Sequence, residues 1–141
     1  MINGRDTALI RRSIDAVENN EKELVVWGTG NASREFLFVE DAAEAIVLAT
    51  EKYNKGDPIN IGNGKEIAIK DIVKLISELV GFQGEIRWDT SKPDGQHRRC
   101  LDVGKAKKEF GFTAKTDLRN GLKQTIEWFK ANRNKLEEWI K

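Results

Sequence analysis

Three arginines stand where the chain changes direction. Arg34 lies at the junction of a glycine loop and a β-prone run, and Arg98 and Arg99 end a polar loop just before a helix. A guanidinium presents a rigid fork of donors that matches phosphate oxygens two at a time, so arginines held at loop ends are suited to clamp a diphosphate. The same residues can pair with nearby carboxylates on the surface, where an ion pair contributes little. Spacing alone does not choose between the two. Trp27 ends an apolar run, where an aromatic either stacks on a base or sugar ring or, more commonly, joins the core.

Other chemistry is weaker. Gly28-Thr29-Gly30 lacks the third glycine of a dinucleotide loop and no helix follows it directly, so it reads as a turn. His97, near Asp94, reads as a solvated loop residue, and Cys100 as buried rather than nucleophilic. Neither supports a covalent mechanism. A single cysteine excludes an internal disulfide, and a single histidine leaves no metal site unless several carboxylates join it. Lys plus Arg (24) nearly balance Asp plus Glu (23), which argues against coating nucleic acid or an anionic membrane. No apolar run approaches the roughly 20 residues that cross a bilayer, and no apolar signal segment opens the chain. The expected setting is cytoplasmic, without nucleic-acid or membrane partners.

These side chains need a scaffold, and 141 residues suit a single core. Leu9, Ile10, Ile14 and Val17 predict a helix over residues 6–20 capped by Asp6 or Thr7, followed by a buried strand over residues 24–27. Residues 35–39 (EFLFV) predict a strand running into a helix whose small face, Ala42, Ala45 and Ala49, suits close packing on a sheet. Ile59-Asn60-Ile61 predicts a short strand. Ile69, Ile72, Val73, Ile76 and Val80 form a helical stripe closed by Gly81. Residues 85–88 predict a strand and residues 91–99 an exposed loop. Asp102 is expected to cap a short helix stopping at Gly111, and Thr116 or Asp117 a last long helix, with Trp139 and Ile140 in a docked final turn. Helices alternate with short strands, so the class is α/β or α+β with helices dominating.

The segments WGTGNASREFLFVEDAAEAIVLA, INIGNGKEIAIKDIVKLISELVGFQGEIRWD, SKPDGQHRRCLDVGKAKKEFGF and LRNGLKQTIEWF, in this order, resemble the C-terminal portion of the GDP-L-fucose synthase family. That family is a branch of the NAD-dependent epimerase/dehydratases, which have the extended short-chain dehydrogenase fold. The likeness runs from about Ala8 to Asn132. It implies that Arg12, Trp27 and Arg34 contact a nucleotide sugar, and that Arg99 matches a basic residue near the diphosphate with Arg98 beside it. The complete family enzymes use NADP(H) to epimerise and reduce GDP-4-keto-6-deoxy-D-mannose.

Departures from the family pattern limit what this chain is expected to do. The family's chemistry needs an N-terminal glycine-rich Rossmann unit, a serine, and a tyrosine followed four residues later by lysine. Here the only tyrosine is Tyr53, and position 57 is Asp57. The family's catalytic histidine aligns with Gly4. Residues 1–6 are therefore read as a truncation or cloning boundary, and residues 7–141 as a nucleotide-sugar-binding domain. No catalytic residue, bound cofactor or metal is expected in it, and a GDP-sugar is the expected ligand. A stand-alone, non-catalytic nucleotide-sugar module, the corresponding part of another UDP- or dTDP-sugar epimerase or dehydratase, and a pure assembly element are the alternatives. Residues 35–39, the helix after them and residues 59–61 would face a Rossmann sheet in the complete fold, so self-association through that surface is expected.

Overall fold

The computed structural model describes residues 4–139, with side chains described for 8–135. Helix α1 (Gly4–Glu18) leads into strand β1 (Glu23–Trp27), then β2 (Ser33–Glu35) and helix α2 (Val39–Lys52). Strand β3 (Glu66–Ala68), helix α3 (Ile69–Val80), strands β4 (Glu85–Asp89) and β5 (Arg98–Arg99), and helices α4 (Gly104–Phe110) and α5 (Leu118–Trp139) follow. The mixed helix and strand class stands as expected.

The main core is built where apolar periodicity is strongest. Helix α3 buries Ile72, Val73, Ile76 and Val80 and ends at Gly81, whose φ of 82° is the left-handed cap a glycine adopts freely. Leu9, Ile10 and Ile14 of α1, Leu24 and Val26 of β1, Phe82, and Ile126 and Phe129 of α5 complete the cluster. Beneath them β1 and β4 pair in parallel, Leu24 opposite Ile86 and Val26 opposite Trp88. A second cluster joins Ala45 of α2 to Ala106 and Phe110 of α4 and to Phe112.

Several expectations are corrected. The strand predicted over residues 35–39 is shifted: β2 stops at Glu35, and Val39 opens α2 with Glu40 and Asp41 in its first turn, where acidic groups favour the helix N-terminus. Residues 59–61 form no strand, because among the described residues no backbone edge pairs with them. Asn60 donates to the Asp102 carbonyl (3.3 Å), Lys105 to the Pro58 carbonyl (3.1 Å), and Ile59 and Ile61 pack on the second cluster. Strand β2 instead pairs with β3, in a stretch for which no strand was expected, and with β5. Arg98 and Arg99, assigned to the exposed loop, form β5.

The small face of α2 packs on α4 through Ala45 and Ala106, not on a sheet. Helix α1 begins at Gly4, ahead of the expected caps. Helix α4 is capped at Val103, although the Asp102 carboxylate still accepts the Gly104 amide at 2.9 Å. Asp117 does cap α5, accepting the Asn120 amide at 3.0 Å. Trp139 closes α5, while its side chain and Ile140 lie outside the described residues. Among the described residues no helix is long and apolar enough to cross a membrane.

Candidate functional site

The three-stranded sheet has the order β3-β2-β5, with β2 and β3 antiparallel and β2 and β5 parallel. Its register sets Arg34 beside Arg99 and Ser33 beside Arg98. Side chains alternate along a strand, so Arg34 and Arg99 share one face with Ile67, and Arg98 goes to the other with Ser33 and Glu66. The two faces have opposite electrostatics. On the Arg98 face, Nε reaches Glu66 at 2.9 and 3.0 Å, and the Ser33 hydroxyl donates to the same carboxylate at 2.8 Å. The Ser33 hydroxyl first, and Arg98 second, hold the Glu66 carboxyl below its usual range.

On the other face Arg34 and Arg99 are neighbours in register. Half-buried Arg34 donates from Nη1 to its neighbouring Ser33 carbonyl at 2.5 Å, and among the described residues neither Arg34 nor Arg99 has a carboxylate partner. Like charges in register across a ladder destabilise it, so the arrangement suits an anion bound between them. Of the five residues singled out in the sequence, the fold thus brings Arg34 and Arg99 together and commits Arg98 to Glu66.

Trp27 belongs to β1, in the other sheet, and Arg12 reaches that strand from α1. Arg12 Nη2 donates to the Val25 carbonyl and lines an open cleft of about 750 Å³ with Asp15, Glu18, Lys22 and Arg133. Neither Arg34 nor Arg99 lines that cleft. Trp27 is 64% exposed, which overturns the core reading. Leu24 and Val26 use the inward face of β1, so Trp27 leaves with Val25 on the other. The Lys92 ammonium lies 5.7 Å from its ring centroid, within cation–π range.

The two stretches that carry these residues run side by side. The Gly28 amide donates to the Asp89 carbonyl (2.9 Å) and the Ser33 amide to the His97 carbonyl (2.8 Å). Between them Asp94 accepts the Thr29 amide and the Thr29 hydroxyl, each at 2.6 Å. The Thr29 hydroxyl is the largest cause holding the Asp94 carboxyl below its usual range. Gly28 (φ 88°) and Gly30 (φ 75°) form the expected turn. A Cβ on Gly28 would lie 2.2 Å from Asp94 Oδ1, so glycine is required there. A carboxylate occupies the Thr29 donors of the turn.

Two carboxylates escaped the sequence reading. Besides Asp94, Glu35 Oε2 accepts the Gly64 amide (3.2 Å), the Leu101 amide (3.2 Å) and the Cys100 thiol (3.4 Å), tying β2 to both neighbouring segments. Burial first, then this contact with Glu35, pushes the Cys100 thiol up, and the side chain is half-buried rather than buried as expected. Asp41 is 5% exposed and accepts the Thr116 amide at 3.0 Å and hydroxyl at 3.2 Å, locking α2 to the segment before α5. The only hint of these roles was nearby glycine, at Gly28 for Asp94 and at Gly62 and Gly64 for Glu35. His97 is exposed, as expected. No group of three or more metal-ligating side chains occurs among the described residues.

Residues 2–62 match the model of the NAD dependent epimerase/dehydratase family. Over that stretch the chain is similar to this family. It is 44% identical over 125 residues to GDP-L-fucose synthase 1 of Arabidopsis thaliana, covering 89% of this chain and 38% of that protein. The solved GDP-L-fucose synthetase of Naegleria fowleri superposes with a TM-score of 0.84 at 27% identity, over 90% of this chain and 39% of that one. A UDP-glucose 4-epimerase of Thermotoga maritima, solved with UDP-glucose, superposes with a TM-score of 0.77 at 28% identity, over 89% of this chain and 38% of the epimerase. These relatives have the extended short-chain dehydrogenase fold, and the chain spans less than half the length of each.

Proposed function

We propose that residues 7–141 form the nucleotide-sugar-binding, C-terminal part of a GDP-L-fucose-synthase-like epimerase/reductase, without turnover of its own. The observation that carries this reading is the pair Arg34 and Arg99, in register and, among the described residues, without a carboxylate partner. A diphosphate answers both charges at once and offers the oxygens that two planar forks can share. Exposed Trp27 offers a ring to stack on, and Arg12 adds a guanidinium at β1, in a cleft it shares with both acidic and basic side chains. Arg98 is the weakest member of the proposed set, because Glu66 holds it. The Asp94 carboxylate seated in the glycine turn supports the reading that NADP(H), which the complete enzymes use, is not held by this chain, and cytoplasmic residence accords with both ligands.

Calorimetry with GDP-mannose, GDP and UDP-glucose tests the proposal. The expected result is heat for GDP-mannose with Kd below about 1 mM, and a raised melting temperature. No heat at millimolar ligand with an unchanged melting temperature sinks it. Stronger binding of UDP-glucose than of GDP-mannose moves the reading to a UDP-sugar enzyme, which the likeness to the Thermotoga maritima epimerase makes the second choice.

The proposal extends to self-association. On α2, Val39 (59% exposed), Ile46 (60%) and Val47 (55%) lie at i, i+7 and i+8, one helical stripe facing solvent. Exposed apolar stripes of this kind favour association. The expected outcome is a concentration-dependent rise in mass in light scattering, suppressed by Val47→Lys. A constant monomer mass up to millimolar protein refutes it.

A further inference from the structure

We propose that Asp94 is a positioning residue for the nucleotide-sugar site, holding Trp27 and the Arg34–Arg99 pair in one geometry. The inference rests on the ligand reading above and adds a residue to it. Trp27 ends β1 in the two-stranded sheet, and the arginines sit on β2 and β5 in the other sheet. The backbone ladders leave these two sheets separate. They are joined by residues 69–84, which carry α3 from β3 to β4, and by two shorter connecting segments, residues 28–32 from β1 to β2 and residues 90–97 from β4 to β5.

Asp94 is the side chain that fastens one segment to the other. Both of its oxygens are used, one on the Thr29 amide and one on the Thr29 hydroxyl. Thr29 is two residues from Trp27, and Asp94 is two residues from Lys92, whose ammonium lies over the indole. Trp27 is too exposed to be fixed by packing, so its ring follows the turn and the lysine. Five residues beyond Asp94 is Arg99. A ligand that touches the ring and both guanidiniums binds best when their separation is set in advance, since ordering them at binding costs affinity.

Asparagine at position 94 keeps one acceptor for the Thr29 amide but puts a neutral amide donor where the charged acceptor of the Thr29 hydroxyl stood, so the hydroxyl must turn round and both charge-assisted bonds are lost. Asp94→Asn and Thr29→Val are therefore each expected to weaken GDP-mannose binding about tenfold, measured by calorimetry on the full chain. Thr29→Ser, which keeps the hydroxyl, is expected to bind as the unaltered chain does. Because both variants break one clamp, the double variant is expected to bind no more weakly than either single one. Inorganic pyrophosphate, which meets the arginines but not the ring, is expected to lose much less affinity than GDP-mannose, a difference that mere unfolding would not produce. Asp94→Asn binding GDP-mannose as tightly as the unaltered chain overturns the inference alone, as do fully additive losses. Failure of the unaltered chain to bind GDP-mannose overturns the ligand reading and this inference with it.

Discussion

Replacing Ile76 with alanine is expected to lower the unfolding free energy by about 2–5 kcal/mol, the cost of removing a buried aliphatic side chain together with the cavity it leaves. Ile76 is 0% exposed in the middle of α3, and its cluster draws on α1, β1 and α5. The size of the effect depends on whether neighbours can move in. Here α1 and α5 are fixed elsewhere, α1 by the chain running directly into β1 and α5 by its Asp117 cap and the Phe38 ring packed on Gly121. The site therefore collapses poorly, and the expected cost sits in the upper half of the range. A domain of this size is typically stable by about 5–15 kcal/mol, so urea unfolding at 25 °C should show a large fall in midpoint with an unchanged slope. The same truncation at Ile46, 60% exposed on α2, is expected to change stability by less than about 0.5 kcal/mol in dilute protein. Equal losses at the two positions would mean that α3 is not the centre of the core.

The same contrast explains which parts of the fold the sequence displays. Helix α3 announces itself because burial on one side of a helix forces a 3.6-residue period, and Gly81 supplies the left-handed turn that ends it. Strand β1 is legible for a related reason, since Leu24 and Val26 must be apolar to face α1 and α3. Its alternation also carried the answer for Trp27, which falls on the outward face; the type of residue misled where its position did not. Strands β2, β3 and β5 are a different matter. They are two or three residues long, and apart from Ile67 and Ala68 of β3 they are built from Ser33, Arg34, Glu35, Glu66, Arg98 and Arg99, too short and too polar to show an apolar period. Their pairing is specified by long-range contacts, Ser33 and Arg98 to Glu66 and three donors to Glu35. A carboxylate can meet such partners only after the rest of the chain has folded, so nothing local marks it.

The candidate site divides along that line. Arg34 and Arg99 were recognisable as a type of residue in a type of place, but that they share a face while Arg98 does not is a property of register, which one residue of slip would reverse. Replacing both Arg34 and Arg99 with glutamine is accordingly expected to weaken GDP-mannose binding by about 100-fold or more, roughly tenfold for each charged fork removed. Ordinary surface ion pairs predict the opposite pattern, because their loss lowers stability and leaves ligand affinity alone. Here the double variant is expected to keep or raise the melting temperature of the unliganded chain, since two like charges in register are separated. Arg98→Gln provides the internal comparison. It removes the Glu66 pair, whose members are largely exposed, so it should leave affinity nearly unchanged with little effect on melting. Raising salt should weaken binding by the unaltered chain and do little to what binding remains in the double variant, because screening acts on the two charges already removed. A double variant that binds as well as the unaltered chain, or one that melts well below it, would make this pair part of the scaffold and leave the diphosphate without a seat.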